Sequence, residues 1–134
     1  MKFRGSLSYN FNKLRKDKAL SCANYYSPSK QKEHTMITEI IEYKLKEGAD
    51  EEQFLMEAQK YHAYFKATFK GFIDLEFTKG ENGWINIMRW ENMEAVRACG
   101  EVLRTGPQEI AGYGALADRA STKLTFLERK LYLK

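Results

Sequence analysis

Apolar and polar residues alternate over 37–45 (ITEIIEYKL), which sets Ile37, Ile41, Tyr43 and Leu45 on one side. A period of two predicts a strand, and Glu47-Gly48 ends it. The period then changes. Phe54, Ala58, Tyr61 and Phe65 recur at spacings of four, three and four, which predicts a helix over 51–68 with one apolar face. Asp50 and Gln53 form a capping box at its start, Glu51 and Glu52 suit the positive end of its dipole, and Gly71 is a natural stop.

Two strands and a tight turn follow. FIDLEFTK (72–79) alternates, with Ile73, Leu75 and Phe77 expected on one side. Asn82-Gly83, inside Gly80-Glu81-Asn82-Gly83, is a hairpin signal because both residues accept positive φ. WINIMRW (84–90) carries Trp84, Met88 and Trp90 on one face and Ile85 and Ile87 on the other, so both faces need cover. Asn92 caps a second helix expected over 93–104. Pro107 opens a short third helix in which Ile110, Tyr113 and Leu116 recur, although Gly112 and Gly114 weaken it. The last strand is expected over 122–133 (TKLTFLERKLYL).

The order β, α, β, β, α, β with one hairpin is that of the ferredoxin-like α+β fold, a four-stranded antiparallel sheet with helices on one face. The other face is too apolar to meet water, and the economical cover is a second copy packed sheet to sheet. A homodimer is therefore the expected assembly.

Several runs carry a family resemblance: Lys44-Leu45-Lys46-Glu47-Gly48, Asp50 to Phe54, Lys70-Gly71-Phe72 and, above all, Gly83-Trp84-Ile85-Asn86-Ile87-Met88-Arg89-Trp90-Glu91. From Met36 onward the chain resembles the dimeric α/β-barrel superfamily, close to the antibiotic-biosynthesis-monooxygenase-like proteins. The resemblance implies residues 36–134 as one dimeric α/β-barrel domain. Its members include cofactor-independent monooxygenases, haem-degrading enzymes and proteins without known activity. The haem-degrading branch uses a His on the second helix; residues 93–104 contain none. The quinol- and polyketide-oxidising branch needs a cleft that binds an aromatic substrate and stabilises an anion able to pass an electron to O₂. Stacking rings and hydrogen-bonding side chains supply that.

Composition narrows the classes. The chain has 134 residues, 43% hydrophobic and 30% charged, enough for one domain. No apolar run approaches the roughly 20 residues of a membrane span. Two Cys without CxxC spacing exclude a disulfide scaffold and a cysteine-rich zinc module, and the two His, His34 and His62, make no His-rich metal site. No metal, cofactor or membrane partner is expected, and the location expected is the cytoplasm. The net charge of +4 is unevenly spread. Residues 1–35 carry eight Lys/Arg against two acids, while the rest of the chain is net −2. Residues 1–35 are expected to be a poorly ordered basic extension, with Met36 as a second candidate start; a targeting segment or a binding arm are the other readings.

The expected catalytic residues are His62, beside the first helix's apolar stripe, and Asn86, an amide among apolar neighbours that needs a partner if buried. Trp84, Trp90, Tyr43, Tyr61 and Tyr113 are the expected substrate-binding residues; aromatic residues at these periods also serve as core. Arg89 is expected to pair with Glu42 or Glu128, and Cys99 to be a small buried hydrophobe. The expected function is binding of an aromatic or hydrophobic small molecule between helices and sheet, with cofactor-independent oxygenation as its chemistry. The alternatives are a non-catalytic dimer with a vestigial cleft and an RNA-recognition module, which shares the element order but needs a basic, open sheet face.

Overall fold

The structure is a computed structural model that describes residues 35–134. The basic extension therefore lies outside the described residues, except for Thr35. Four strands, β1 (Ile37–Leu45), β2 (Phe72–Gly80), β3 (Gly83–Trp90) and β4 (Ala117–Glu128), form one antiparallel sheet in the order β2-β3-β1-β4. Helices α1 (Glu51–Thr68), α2 (Met93–Leu103) and α3 (Ala111–Leu116), with a 3₁₀ turn at Gln108–Ile110, cover one face. This is the ferredoxin-like order the alternation predicts. No helix among the described residues is long and apolar enough to cross a membrane.

The core fills the space between helices and sheet. The sheet contributes Ile37, Ile41, Tyr43, Trp84, Met88, Trp90 and Leu124, and α1 contributes Phe54, Ala58, Tyr61 and Phe65. Asp50 caps α1 by accepting from the backbone N–H of Gln53 at 3.1 Å, and Asn92 caps α2 from Ala95 at 2.9 Å. Gln53 itself is exposed.

Four local expectations change. A bulge between Phe72 and Asp74 shifts the phase of β2, so Phe72, not Ile73, joins Leu75 and Phe77 against the core. Ile73 is 40% exposed. In the hairpin Gly80 pairs with Gly83, which makes Glu81 and Asn82 the loop residues rather than Asn82 and Gly83. β4 starts at Ala117 and ends at Glu128, whose partner is Ile37, the first residue of β1. Beyond Arg129, whose N–H donates to the Met36 carbonyl at 3.0 Å, Leu131, Tyr132 and Leu133 are exposed at 76%, 58% and 80%. Arg89 pairs with Asp74 at 3.0 Å instead of Glu42 or Glu128, because the β2–β3 register sets Asp74 opposite it.

Gly71 joins α1 to β2 with φ +91°, and a Cβ there would stand 2.6 Å from the Ala95 Cβ on α2. Its carbonyl accepts from Glu91 N–H at 2.8 Å, which brings the end of β3 against the start of β2. Gly48 has a similar φ of +82° in open space. Gly71→Ala should therefore destabilise the protein by about 2–3 kcal/mol, combining left-handed strain with a clash, and Gly48→Ala by about 1 kcal/mol. Urea unfolding of the two variants checks the order.

Candidate functional site

Strand alternation turns Tyr43 on β1 and Asn86 on β3 toward the helices, and the register places them diagonally across neighbouring strands. Tyr113 reaches the same point from α3. It shares a buried side with Ile110, while a Cβ on the adjacent Gly112 would collide with the Glu57 carboxylate of α1. The three side chains close a hydrogen-bonded ring. Tyr43 O–H donates to Asn86 Oδ1 at 2.8 Å, Asn86 Nδ2 donates to the Tyr113 hydroxyl at 2.8 Å, and Tyr113 O–H donates to the Tyr43 hydroxyl at 3.1 Å. Each hydroxyl gives one bond and receives one, so the ring is internally consistent and its bonds reinforce one another.

Aromatic groups enclose the ring. Phe54 packs on Trp84 (centroids 4.9 Å apart) and stacks with Tyr113 (5.2 Å), and Tyr61 lies 4.1 Å from Tyr113 and 4.4 Å from Phe65. Phe65 leads on to Phe72 and Trp90. At that far end Trp90 Nε1 donates to Glu39 Oε1 at 2.9 Å, and both residues are fully buried.

The five expected substrate-binding residues thus share one buried compartment with Asn86. His62 does not reach the ring. It is half-buried on α1, edge-on to Phe72 at 5.8 Å. Cys99 is buried, as expected. Glu39 was missing from the expected set. Its signal was parity: it alternates with Ile37 and Ile41, so a carboxylate had to enter the core. An open groove of about 390 Å³ lies at the hairpin end of the sheet; Tyr43 and Trp84 take part in its lining, together with Glu42, Lys44, Ser121 and Lys123 among others. Among the described residues no group of three or more His, Cys, Asp or Glu side chains is placed to hold a metal.

Residues 36–99 match the family model for antibiotic biosynthesis monooxygenase. This match supports the resemblance of the domain to the antibiotic-biosynthesis-monooxygenase-like superfamily. Two solved structures share the fold. One is SnoaB, a cofactor-independent oxygenase from Streptomyces nogalater, at 15% identity and TM-score 0.56, covering 74% of this chain and 97% of its own. The other is a candidate antibiotic biosynthesis monooxygenase from Caulobacter crescentus, at 14% identity and TM-score 0.56, covering 73% and 92%. No curated protein sequence matches the chain at a significant level. Tyr43 and Asn86 fall within the matched family span, and Tyr113 follows it.

Burial holds both ring phenols neutral. Desolvation pushes Tyr43 far above the ordinary phenol value, with proximity to the Tyr113 oxygen adding to it. Tyr113 is likewise raised by desolvation, against the opposing effect of its hydrogen bonds with Tyr43 and Asn86. The folded values lie above the unfolded one of ~10. The stabilising contribution is therefore whole below pH ~10 and is lost as pH rises through the folded values, because the unfolded phenols release protons first. With two such groups, stability should fall by up to about 2.7 kcal/mol per pH unit above pH ~10, which urea titrations between pH 9 and 11.5 would measure. Asn86→Ala takes one partner from each of two buried hydroxyls, leaving them only the bond between them, and should cost about 2–4 kcal/mol at pH 7. Adding Tyr43→Phe to it should cost less than Tyr43→Phe alone, a coupling of at least ~0.5 kcal/mol in a double-mutant cycle.

Proposed function

We propose that the protein is a cytoplasmic homodimer that binds an aromatic small molecule in the compartment between helices and sheet and oxygenates it without a cofactor. The observation that carries the reading is the Tyr43–Asn86–Tyr113 ring, a buried amide and two phenols inside walls of aromatic side chains. Such a site offers stacking surfaces for a planar substrate and fixed donors for the oxygen of a substrate anion. A phenolate held in this way is electron-rich enough to pass an electron to O₂, and the radical pair can then combine. Asn86 is the proposed orienting group. His62, edge-on to Phe72 and apart from the ring, is the proposed proton acceptor for a substrate long enough to extend from the ring to Phe72. Trp84, Trp90, Tyr43, Tyr61 and Tyr113 form the proposed binding walls. The fold shared with a cofactor-independent oxygenase supports the same chemistry.

Support for the dimer comes from the opposite face. There Ile40 pairs with Ile87 and Glu42 with Ile85, so three half-buried isoleucines form an apolar centre. Asp74, Glu76, Arg89 and Lys123 surround it, the apolar-centre and polar-rim pattern of a protein interface. The strands turn no aromatic side chain to this face, since Trp84 and Trp90 lie under the helices. The stacking platform that the RNA-module alternative requires is therefore absent from the described strands.

Light scattering on the full chain should give twice the monomer mass, and Ile87→Lys, which buries a charge in the apolar centre, should give the monomer mass with an unchanged far-UV spectrum. Oxygen consumption with a panel of naphthols and hydroquinones tests the chemistry. Uptake that falls at least ~100-fold in Asn86→Ala supports the reading. Binding without uptake would instead identify the non-catalytic alternative.

A further inference from the structure

Of the three members of the buried ring, two are held by the sheet and one is not. Tyr43 and Asn86 sit on paired strands. Tyr113 is carried by α3, a six-residue helix with no side-chain cap at its start, preceded by a 3₁₀ turn that also lacks one. Glycines flank it on both sides, and glycine is a poor helix residue. Its ring nevertheless fills a defined slot, stacked on Phe54, 4.1 Å from Tyr61 and edge-on to Phe77 at 6.1 Å, with its hydroxyl between Asn86 and Tyr43. A tyrosine side chain is a para-substituted phenol, so the slot is already shaped and polarised for that class of molecule.

We propose that Tyr113 is the internal occupant of a phenol-binding site, and that a para-substituted phenol binds by taking its place between Phe54 and Tyr61 while α3 moves outward. The proposal rests on the compartment being the ligand site. The exchange conserves hydrogen bonds. The incoming hydroxyl accepts from Asn86 Nδ2 and donates to the Tyr43 oxygen, as Tyr113 does, so neither state strands a buried polar atom at Asn86 or Tyr43. Two states balanced in this way respond to ligand concentration. An aromatic without a hydroxyl would leave both partners unsatisfied and be selected against.

The test uses the full-length protein, wild type and Tyr113→Phe, with p-cresol and toluene as probes, read by calorimetry and by amide hydrogen exchange. Saturating p-cresol should raise exchange at residues 111–116 of the wild type while protecting β1 and β3. It should bind Tyr113→Phe at least about fivefold more tightly than wild type, because the internal competitor has lost both hydrogen bonds of its hydroxyl. Toluene should bind each protein at least ~10-fold more weakly than p-cresol. Binding of p-cresol that leaves 111–116 protected, or equal affinity for the two proteins, would overturn the proposal. Toluene binding as well as p-cresol would sink the phenol site and leave the aromatic compartment standing. No binding of either probe to either protein would remove both. Should Tyr113→Phe not fold, the wild-type exchange pattern and the ratio of p-cresol to toluene affinity still decide.

Discussion

Asn86 places a primary amide where no water reaches it, in the middle of a central strand. A buried amide left without partners costs about 1–3 kcal/mol, so its partners must be provided by the chain. They come from two places far apart in sequence, Tyr43 on the adjacent strand and Tyr113 on the last helix. A one-residue slip of β1 against β3 would turn Tyr43 to the opposite face and open the ring. The amide therefore couples strand register to the docking of α3, and the aromatic packing of Phe54, Tyr61 and Trp84 is built around that coupling.

The helix-facing side of the sheet is polar at both ends and apolar between them. Ring and amide stand at one end, Glu39 with the Trp90 indole at the other, and Ile41 and Met88 separate them. Apolar contact alone is non-directional. Two separated polar anchors in an aromatic compartment give direction to what packs between them. The opposite side of the sheet divides its labour differently. Its isoleucines form a small apolar centre among charges, and the Arg89–Asp74 pair is exposed enough to contribute solubility and register more than stability.

Periodicity made most of the fold legible. The bounds of α1, the hairpin order and the caps at Asp50 and Asn92 all follow from local signals whose physics acts within a few residues. The departures share one cause, which is that strand phase and strand length depend on the neighbouring strand. The bulge at Phe72–Asp74 exchanges Ile73 for Phe72, β4 stops where β1 begins, and Arg89 takes the acid its register partner supplies. Glu39 was readable from alternation alone but is outnumbered there by hydrophobic neighbours.

The sequence by itself determined which elements form and which residues turn toward the core, because hydrophobic periodicity and capping are properties of short stretches of chain. It also marked Asn86 as a polar group in need of a partner. Only the tertiary structure decided that the partners are Tyr43 and Tyr113, that Trp90 meets Glu39, and that His62 stands apart from the ring. Those contacts join residues from tens of positions away, and no local pattern encodes a distance that the packing of whole elements sets.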